Sequence, residues 1–105
     1  IKDRAKDMII SGGENIYSVQ VEEAICKHPA VLETAVIGIP DDEWGESVKA
    51  YVVLKPETQA TEQEIIDEAK KNLASYQKPK FVEFIDELPK APTGKILKRL
   101  LREQN

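Results

Sequence analysis

Apolar residues recur at helical spacing after Ser18. We expect Ser18 to be the N-cap of a helix, because its hydroxyl can accept a hydrogen bond from a backbone N–H of the first turn. Pro29 is expected to end this helix, since a residue that precedes proline disfavours the helical conformation. The spacing predicts one apolar stripe, formed by Val21, Ala24, Ile25 and His28.

A second helical pattern begins at Thr61. Thr61 and Glu64 have the spacing of a capping box, in which each side chain bonds the backbone N–H of the other residue. The predicted apolar face of this helix consists of Ile65, Ile66, Ala69 and Leu73. A third helix is predicted from Ile96 to Arg102, where basic residues suit the C-terminal end of a helix.

The segment from Val31 to Ile39 is apolar on both faces, which is typical of an interior strand. Alternation along this strand places Val36 and Gly38 on one face. The other face is predicted to carry Val31, Ala35, Ile37 and Ile39. A turn over Pro40–Glu43 is expected to follow.

Two further strands are predicted downstream. After Trp44–Glu46, apolar residues alternate with Lys49 and Tyr51, which indicates a strand. The apolar members of this strand are Val48, Ala50, Val52 and Leu54. A break at Lys78-Pro79 precedes a short strand over Phe81–Ile85.

A pair of glycines near the amino end lies between two apolar runs. Met8–Ile10 and Asn15–Tyr17 flank Ser11-Gly12-Gly13-Glu14, and this arrangement predicts a β-hairpin. The order hairpin, α, β, β, α, β, α predicts an α+β fold. We therefore expect a single domain over residues 1–105, with a small mixed β-sheet, about three helices packed on it, and a short β-hairpin that precedes it.

Composition narrows the classes of function. The 105 residues carry a net charge of −4, which disfavours nucleic acid as the main partner, and no apolar run predicts a transmembrane segment. One cysteine and one histidine provide no zinc-type cluster, so no metal site is expected. Cys26 and His28 are two residues apart and do not face each other on a helix, which makes a nucleophile pair improbable.

The cysteine content indicates a cellular location, and the amino end of the sequence suggests that it is part of a longer protein. A lone cysteine fits the reducing cytoplasm, which is the expected location, and the amino end does not resemble a signal peptide. The sequence begins with Ile1 rather than methionine and with charged, motif-like residues. We expect it to be a piece of a longer protein.

The segment Leu88–Ile96 presents Lys95 at the end of a stiffened loop. Pro89 and Pro92 stiffen the approach, Gly94 permits a backbone conformation that a side chain would block, and Lys95 follows at once. One interpretation is a loop that delivers Lys95 to an anionic group elsewhere. The other is a helix-entry turn followed by a solvated lysine.

Two segments together resemble the motifs of one superfamily. Residues 3–17 are similar to the hinge-and-hairpin motif of adenylate-forming enzymes, and Pro89–Ile96 is similar to their catalytic-lysine motif. His28–Val31 and Ile39–Glu46 fit as well. Over essentially its whole length the chain resembles the C-terminal domain of acyl-CoA synthetases, the AMP-binding ligases.

The sequence also indicates the type of ligase, and at two positions it departs from the pattern of the family. The Ser11–Ile16 segment resembles fatty-acyl and related acyl- or aryl-CoA ligases more than peptide-synthetase adenylation domains, whose hairpin is usually more basic. Ser18 stands where many relatives have proline, and Gln20 where many have glutamate. Both lie at the helix entry, so they affect the expected chemistry little.

The resemblance implies a two-step ligase. A carboxylic acid reacts with ATP to give acyl-AMP and pyrophosphate, and the thiol of CoA then displaces AMP to give the thioester. ATP, CoA and Mg²⁺ are expected as co-substrates and cofactor of the full-length enzyme, with none bound tightly to this domain. The expected partner is a large N-terminal domain that carries the phosphate loop and the acyl pocket, against which the small domain rotates between the steps.

The resemblance also implies roles for individual residues. Lys95 matches the adenylation lysine, Lys6 the hinge, and Arg4 a position that contacts the AMP ribose or phosphate. Without the motif, Lys6 would be a surface lysine and Arg4 a partner in a salt bridge. The residues expected to line the CoA channel, or else to form a plain hairpin turn, are Ser11, Gly12 and Gly13.

Trp44 and the basic tail are interpreted as structural features, and two alternative functions are retained. We expect Trp44 to be an aromatic anchor at a strand entry. The basic tail is expected to be a solvated helix face, formed by Lys98, Arg99 and Arg102. The alternatives to an acyl-CoA ligase are a stand-alone binding module and the lid of an adenylating enzyme that depends on a carrier protein.

Overall fold

The two glycines near the amino end form a tight turn in the computed structural model, which describes residues 8–74 and 77–103. Strand β1 spans Met8–Ser11 and strand β2 spans Glu14–Tyr17, and the two pair in antiparallel fashion. Gly12 and Gly13 have φ angles of 59° and 83°, which a two-residue hairpin turn requires and which glycine adopts at little cost. The predicted hairpin is confirmed.

Helix α1 spans Ser18–Cys26 and follows β2 directly. Tyr17, not Ser18, is the N-cap, and no side chain caps the helix. The prediction for Ser18 is wrong because the extended strand runs into the helix without a turn, which makes Ser18 the first helical residue. His28 lies beyond the helix, and its Nδ1 accepts a hydrogen bond from the Ala30 N–H at 3.1 Å.

Strands β3 (Val31–Asp41), β4 (Gly45–Leu54) and β5 (Phe81–Phe84) form a three-stranded sheet. The pair β3–β4 is antiparallel and β4–β5 is parallel, so the sheet is mixed as predicted. β3 lies at an edge rather than in the interior. Both faces of β3 are apolar because packed elements cover both faces of the sheet. This burial does not require a paired strand on each side of β3.

Strand β3 differs from its prediction in two details. It continues through Pro40 and Asp41, which pair with Glu46 and Gly45, so the turn between β3 and β4 is shorter than expected. The pairing register also shifts between Val31 and Glu33. Such an irregularity reverses the alternation of faces, and Val31 packs on the same side as Val36 instead of the opposite side.

The two faces of the sheet bury separate apolar clusters. The first core joins the hairpin, α1 and helix α2 (Glu62–Asn72) to one face. Its members are Ile9, Ile16, Val21, Ile25, Val31, Val36, Val48, Ala50, Val52, Ile65, Ala69 and Val82. The second core lies on the other face and comprises Ala35, Ile37, Tyr51, Val53, Leu88 and Leu101. Tyr51, expected on a polar face, is therefore a core residue.

Two further helices among the described residues agree with the predicted α+β fold. At the start of α2, the Glu64 N–H donates to the Thr61 hydroxyl at 3.2 Å and the Thr61 N–H donates to a Glu64 carboxylate oxygen at 2.8 Å. The predicted capping box is confirmed. Helix α3 spans Lys98–Glu103 and begins later than expected, because Ile96 forms a β-bridge with Lys90.

Candidate functional site

Lys95 lies in a closed turn, which we call the lysine loop and define as Pro89–Leu97. The Ala91 N–H donates to the Lys95 carbonyl at 2.8 Å, and the Leu97 N–H donates to the Pro89 carbonyl at the same distance. Gly94 has a φ angle of 91°, a value that only glycine adopts readily, and it permits the sharp return of the chain. The Lys95 side chain is exposed at this turn, three residues before α3 begins.

The lysine loop is attached to the sheet on both sides of Lys95. Leu88, which precedes the loop, is only 3% exposed in the second core, and Ile96 packs against the same cluster. Lys90 also forms an ion pair with Glu33 of β3, with 2.9 Å between Nζ and Oε1. The loop therefore has a fixed base and an exposed tip.

The hairpin turn borders an open groove of about 460 Å³, which we call the hairpin groove. Ser11 and Gly12 line one wall, and Trp44 contributes apolar surface. Two cationic side chains, Lys78 and Lys80, line it as well. The lysines were missed by the sequence analysis, since they are distant from the hairpin along the chain and their only signal was the Lys78-Pro79 break.

Trp44 covers the hairpin turn instead of entering a core. The Gly12 N–H donates to the Trp44 carbonyl at 2.8 Å, and a Cβ atom at Gly12 would lie 2.8 Å from Cε3 of the ring. The side chain remains 49% exposed. Trp44 is thus an anchor for the hairpin turn more than for the strand that it precedes.

Asp41 organises the turn that carries Trp44. Its carboxylate accepts hydrogen bonds from the Ser47 hydroxyl, from the Glu43 N–H at 2.8 Å and from the Trp44 N–H at 3.0 Å. Lys80 lies 3.3 Å away. The hydrogen bond from Ser47 and those from the two amides hold the pKa of Asp41 well below its usual range, so the carboxylate stays charged beside the groove.

Glu46 fixes the hairpin to β4. The Ile10 N–H donates to Oε1 of Glu46 at 2.9 Å. This residue had no assigned role in the sequence analysis, because its partner lies 36 residues earlier in the chain. Glu46 and the Gly12–Trp44 hydrogen bond hold the hairpin at the end of the sheet where β4 begins.

The predicted site residues fall on two sides of the sheet. Ile9 and Ile16 join the hairpin to the first core, whereas Leu88 and Ile96 join the lysine loop to the second core. The segments that carry the Gly12–Gly13 turn and Lys95 are therefore anchored on opposite faces of the sheet. Arg4 and Lys6 lie outside the described residues.

The basic tail is less solvated than expected. The Lys98 side chain is only 13% exposed, and its Nζ lies 2.7 Å from Oε2 of Glu22. The prediction of a solvated face is wrong for Lys98, because α3 lies close enough to α1 for this side chain to reach a carboxylate. Arg99 and Arg102 are exposed, as expected.

Comparison with known proteins places this chain in a family. The family model described as the AMP-binding enzyme C-terminal domain matches residues 20–95, and the match ends on Lys95. The chain belongs to this family. The resemblance to the C-terminal domain of acyl-CoA synthetases is thereby confirmed.

Relatives of this AMP-binding enzyme C-terminal domain are CoA ligases. The chain is 52% identical over 103 residues to the peroxisomal trans-cinnamate:CoA ligase of Petunia hybrida, covering 98% of this chain and 18% of that protein. It is 51% identical over 104 residues to the long-chain-fatty-acid–CoA ligase FadD13 of Mycobacterium tuberculosis, covering 99% and 20%.

Solved structures share the fold. The fatty acyl CoA synthetase of Mycobacterium tuberculosis is 52% identical to this domain with a TM-score of 0.91, and the match covers 99% of this chain and 20% of that one. The domain thus spans about a fifth of the length of these relatives. Within residues 8–74 and 77–103, no helix is long and apolar enough to cross a membrane.

Proposed function

We propose that this domain is the mobile C-terminal lid of an ATP-dependent acyl-CoA ligase, with residues 1–105 forming one domain of that longer enzyme. The lid supplies Lys95 to the first step and the hairpin to the second. The observation that carries the proposal is the placement of the two motifs on opposite sides of one sheet. A domain that rotates between two steps needs a separate working surface for each step.

The first step joins a carboxylate to ATP. A carboxylate oxygen attacks the α-phosphorus, the bond to pyrophosphate breaks, and acyl-AMP forms. Both reactants are anionic and repel each other, so a cation placed between them lowers the barrier. Lys95 fits this role because it is exposed at the tip of a loop whose base is fixed. Arg4 is the residue that we expect at the ribose or phosphate of AMP.

The second step transfers the acyl group to CoA. The thiol sulfur attacks the acyl carbonyl, the thioester forms, and AMP leaves. Ser11, Gly12 and Gly13 are the proposed wall of the channel for the pantetheine arm, since glycines allow a ligand to approach the backbone closely. Lys78 on the same groove provides positive charge that suits the phosphate groups of CoA, whereas Lys80 is paired with Asp41.

Lys6 is the proposed pivot between the two arrangements of the lid.

Mg²⁺ is expected to accompany ATP, but no group of three or more His, Cys, Asp or Glu side chains in the described part of the chain could hold a metal ion. The exposed thiol of Cys26 suits a reducing compartment, and we propose the cytoplasm as the location.

Fatty acids are the substrate class that we propose, on the similarity to FadD13 and the hairpin sequence. The lid does not select the acid by itself. Relatives with nearly equal identity to this chain are named for trans-cinnamate and for long-chain fatty acids. The acyl pocket that decides between such acids is expected in the N-terminal domain.

The test compares two half-reactions in the full-length enzyme. Lys95→Ala is expected to lower acyl-AMP formation, measured by ATP–pyrophosphate exchange, by about a hundredfold to a thousandfold. Formation of the thioester from supplied acyl-AMP and CoA should be largely retained. Lys71→Ala, at a side chain that is 71% exposed on α2, is the control and should change neither reaction. Equal losses in both half-reactions would contradict the proposed role of Lys95.

A further inference from the structure

An ion pair joins the helix after the lysine loop to the helix after the hairpin. Nζ of Lys98 in α3 lies 2.7 Å from Oε2 of Glu22 in α1, and the two side chains are only 13% and 21% exposed. Lys98 also lies 3.1 Å from the hydroxyl of Ser18, which is 1% exposed at the start of α1. Charge-assisted hydrogen bonds of this length, shielded from water, are directional as well as attractive.

Glu22 is itself held in place by the sheet. Its Oε2 accepts a hydrogen bond from the Val36 N–H at 2.9 Å. Val36 belongs to β3, an edge strand whose outward N–H groups have no neighbouring strand to bond. The Glu22 carboxylate therefore accepts a hydrogen bond from the edge of the sheet in place of a neighbouring strand. This bond fixes the position of the acceptor that Lys98 contacts.

Helix α3 needs such an anchor because it is short. It spans only the six residues Lys98–Glu103, and Leu101 is its buried residue. A helix of this length has little stability of its own, so tertiary contacts decide where it lies. Lys95 is three residues before Lys98, and the position of its backbone therefore depends on how α3 is docked.

We propose that Lys98 is a positioning residue for the adenylation step. Its ion pair with Glu22 sets the place and direction of the lysine loop relative to α1. Because α1 follows the hairpin directly, the same pair adds a direct link between the helix after the lysine loop and the helix after the hairpin. This inference rests on the proposed function of Lys95 and adds a residue that acts through it.

The alternative is a pair that only stabilises the fold. Loss of fold stability would lower both half-reactions together, since both need a folded lid. Loss of positioning would lower adenylation alone, because a displacement of about 1 Å at a reacting group costs up to about a hundredfold. The ratio of the two half-reactions therefore separates the two roles.

The experiment uses the full-length enzyme and the variant Lys98→Met, which keeps most of the length of the side chain without its charge. We expect the kcat of acyl-AMP formation to fall about tenfold or more. Conversion of supplied acyl-AMP to the thioester should change by less than about twofold. Arg99→Met, at the exposed neighbouring position of the same helix, is the matched control and should leave both rates unchanged.

A second variant tests the same pair with less risk to folding. Glu22→Gln keeps an oxygen acceptor for Val36 and Lys98 and removes the charge, so it should lower adenylation by a smaller factor. If the two residues act as a pair, the double variant should adenylate no more slowly than Lys98→Met alone. Thermal denaturation identifies the variants that are folded at the assay temperature.

The outcomes are distinguishable. Wild-type adenylation by folded Lys98→Met, or by Glu22→Gln if Lys98→Met does not fold, overturns the inference, and so do equal losses in both half-reactions. Lys95→Ala is assayed in parallel. If Lys95→Ala loses adenylation and the Lys98 variant does not, the inference alone fails. If Lys95→Ala adenylates normally, the proposed function fails and the inference fails with it.

Discussion

The backbone N–H of Gly12 donates to the carbonyl of Trp44 at 2.8 Å, beneath the ring of the same tryptophan. A Cβ atom at Gly12 would lie 2.8 Å from Cε3 of that ring, which is closer than real side-chain contacts allow. With the Trp44 ring in this position, the hairpin turn and the turn between β3 and β4 therefore leave no room for a Cβ atom at Gly12. Gly13, the next residue of the turn, has nothing within 4 Å of its Cβ position.

This difference predicts unequal effects of two similar substitutions. Gly12→Ala and Gly13→Ala should both cost about 1–2 kcal/mol of backbone strain, because both residues have positive φ angles. Only Gly12→Ala should also displace the Trp44 ring. Trp44 is the only tryptophan of this sequence, so its fluorescence in the 105-residue chain reports the displacement. Equal emission spectra for the two variants would count against the fit described above.

The proposed pivot, Lys6, predicts a defect in the second step alone, whereas Lys95→Ala is expected to impair the first step alone. Lys6→Pro fixes the φ angle at the hinge, which should prevent rotation of the lid between the two steps. In the full-length enzyme we expect normal ATP–pyrophosphate exchange and a loss of thioester formation. Lys6→Ala leaves the backbone free to rotate and serves as the control. A proline variant with wild-type CoA turnover would exclude Lys6 as the pivot.

The lowered pKa of Asp41 predicts how stability depends on pH. A carboxyl group whose pKa is lower in the folded state stabilises the fold above its unfolded pKa of about 4 and loses this contribution as the pH falls. Asp41→Asn should therefore be less stable than the wild type at neutral pH. The gap between the two should narrow between about pH 5 and pH 3.

Urea denaturation midpoints of the two proteins across this pH range provide the measurement. Asp42→Asn is the matched control, because its exposed side chain neighbours Asp41. The control should follow the wild type at every pH. A gap between wild type and Asp41→Asn that stays constant on acidification would show that the hydrogen bonds to Asp41 do not act through its charge.

The capping box predicts a stability change away from both working surfaces. Thr61→Ala removes the hydroxyl that accepts from Glu64 and should lower the free energy of unfolding by about 1 kcal/mol. Gln59→Ala, two residues earlier at an exposed position, should have little effect. Both half-reactions should be unchanged in the full-length enzyme, since α2 carries neither motif. Denaturation by urea measures the difference in stability, and equal midpoints for the two variants would show that the Thr61 cap does not stabilise the domain.

Local patterns predicted most of the elements because their causes are local. The capping box at Thr61 needs only residues within one turn of the helix, and the hairpin needs only a Gly-Gly pair between apolar runs. Motif resemblance likewise identified the family, since Lys95 and the hairpin belong to short segments of distinctive sequence. Errors arose where a neighbour that is distant in the chain decides the outcome, as at Lys98, which reaches Glu22.

The sequence by itself determined the order of the elements, the α+β class and the residues of the two motifs, because propensity, spacing and turn chemistry act over a few residues. Tertiary structure decided which surfaces those residues share. It placed Lys95 and the Gly12–Gly13 turn on opposite sides of the sheet, moved Val31 to the other face by a register shift, and joined Lys98 to Glu22. The physical reason is that such contacts depend on strand register and helix docking, which the folding of the whole chain sets.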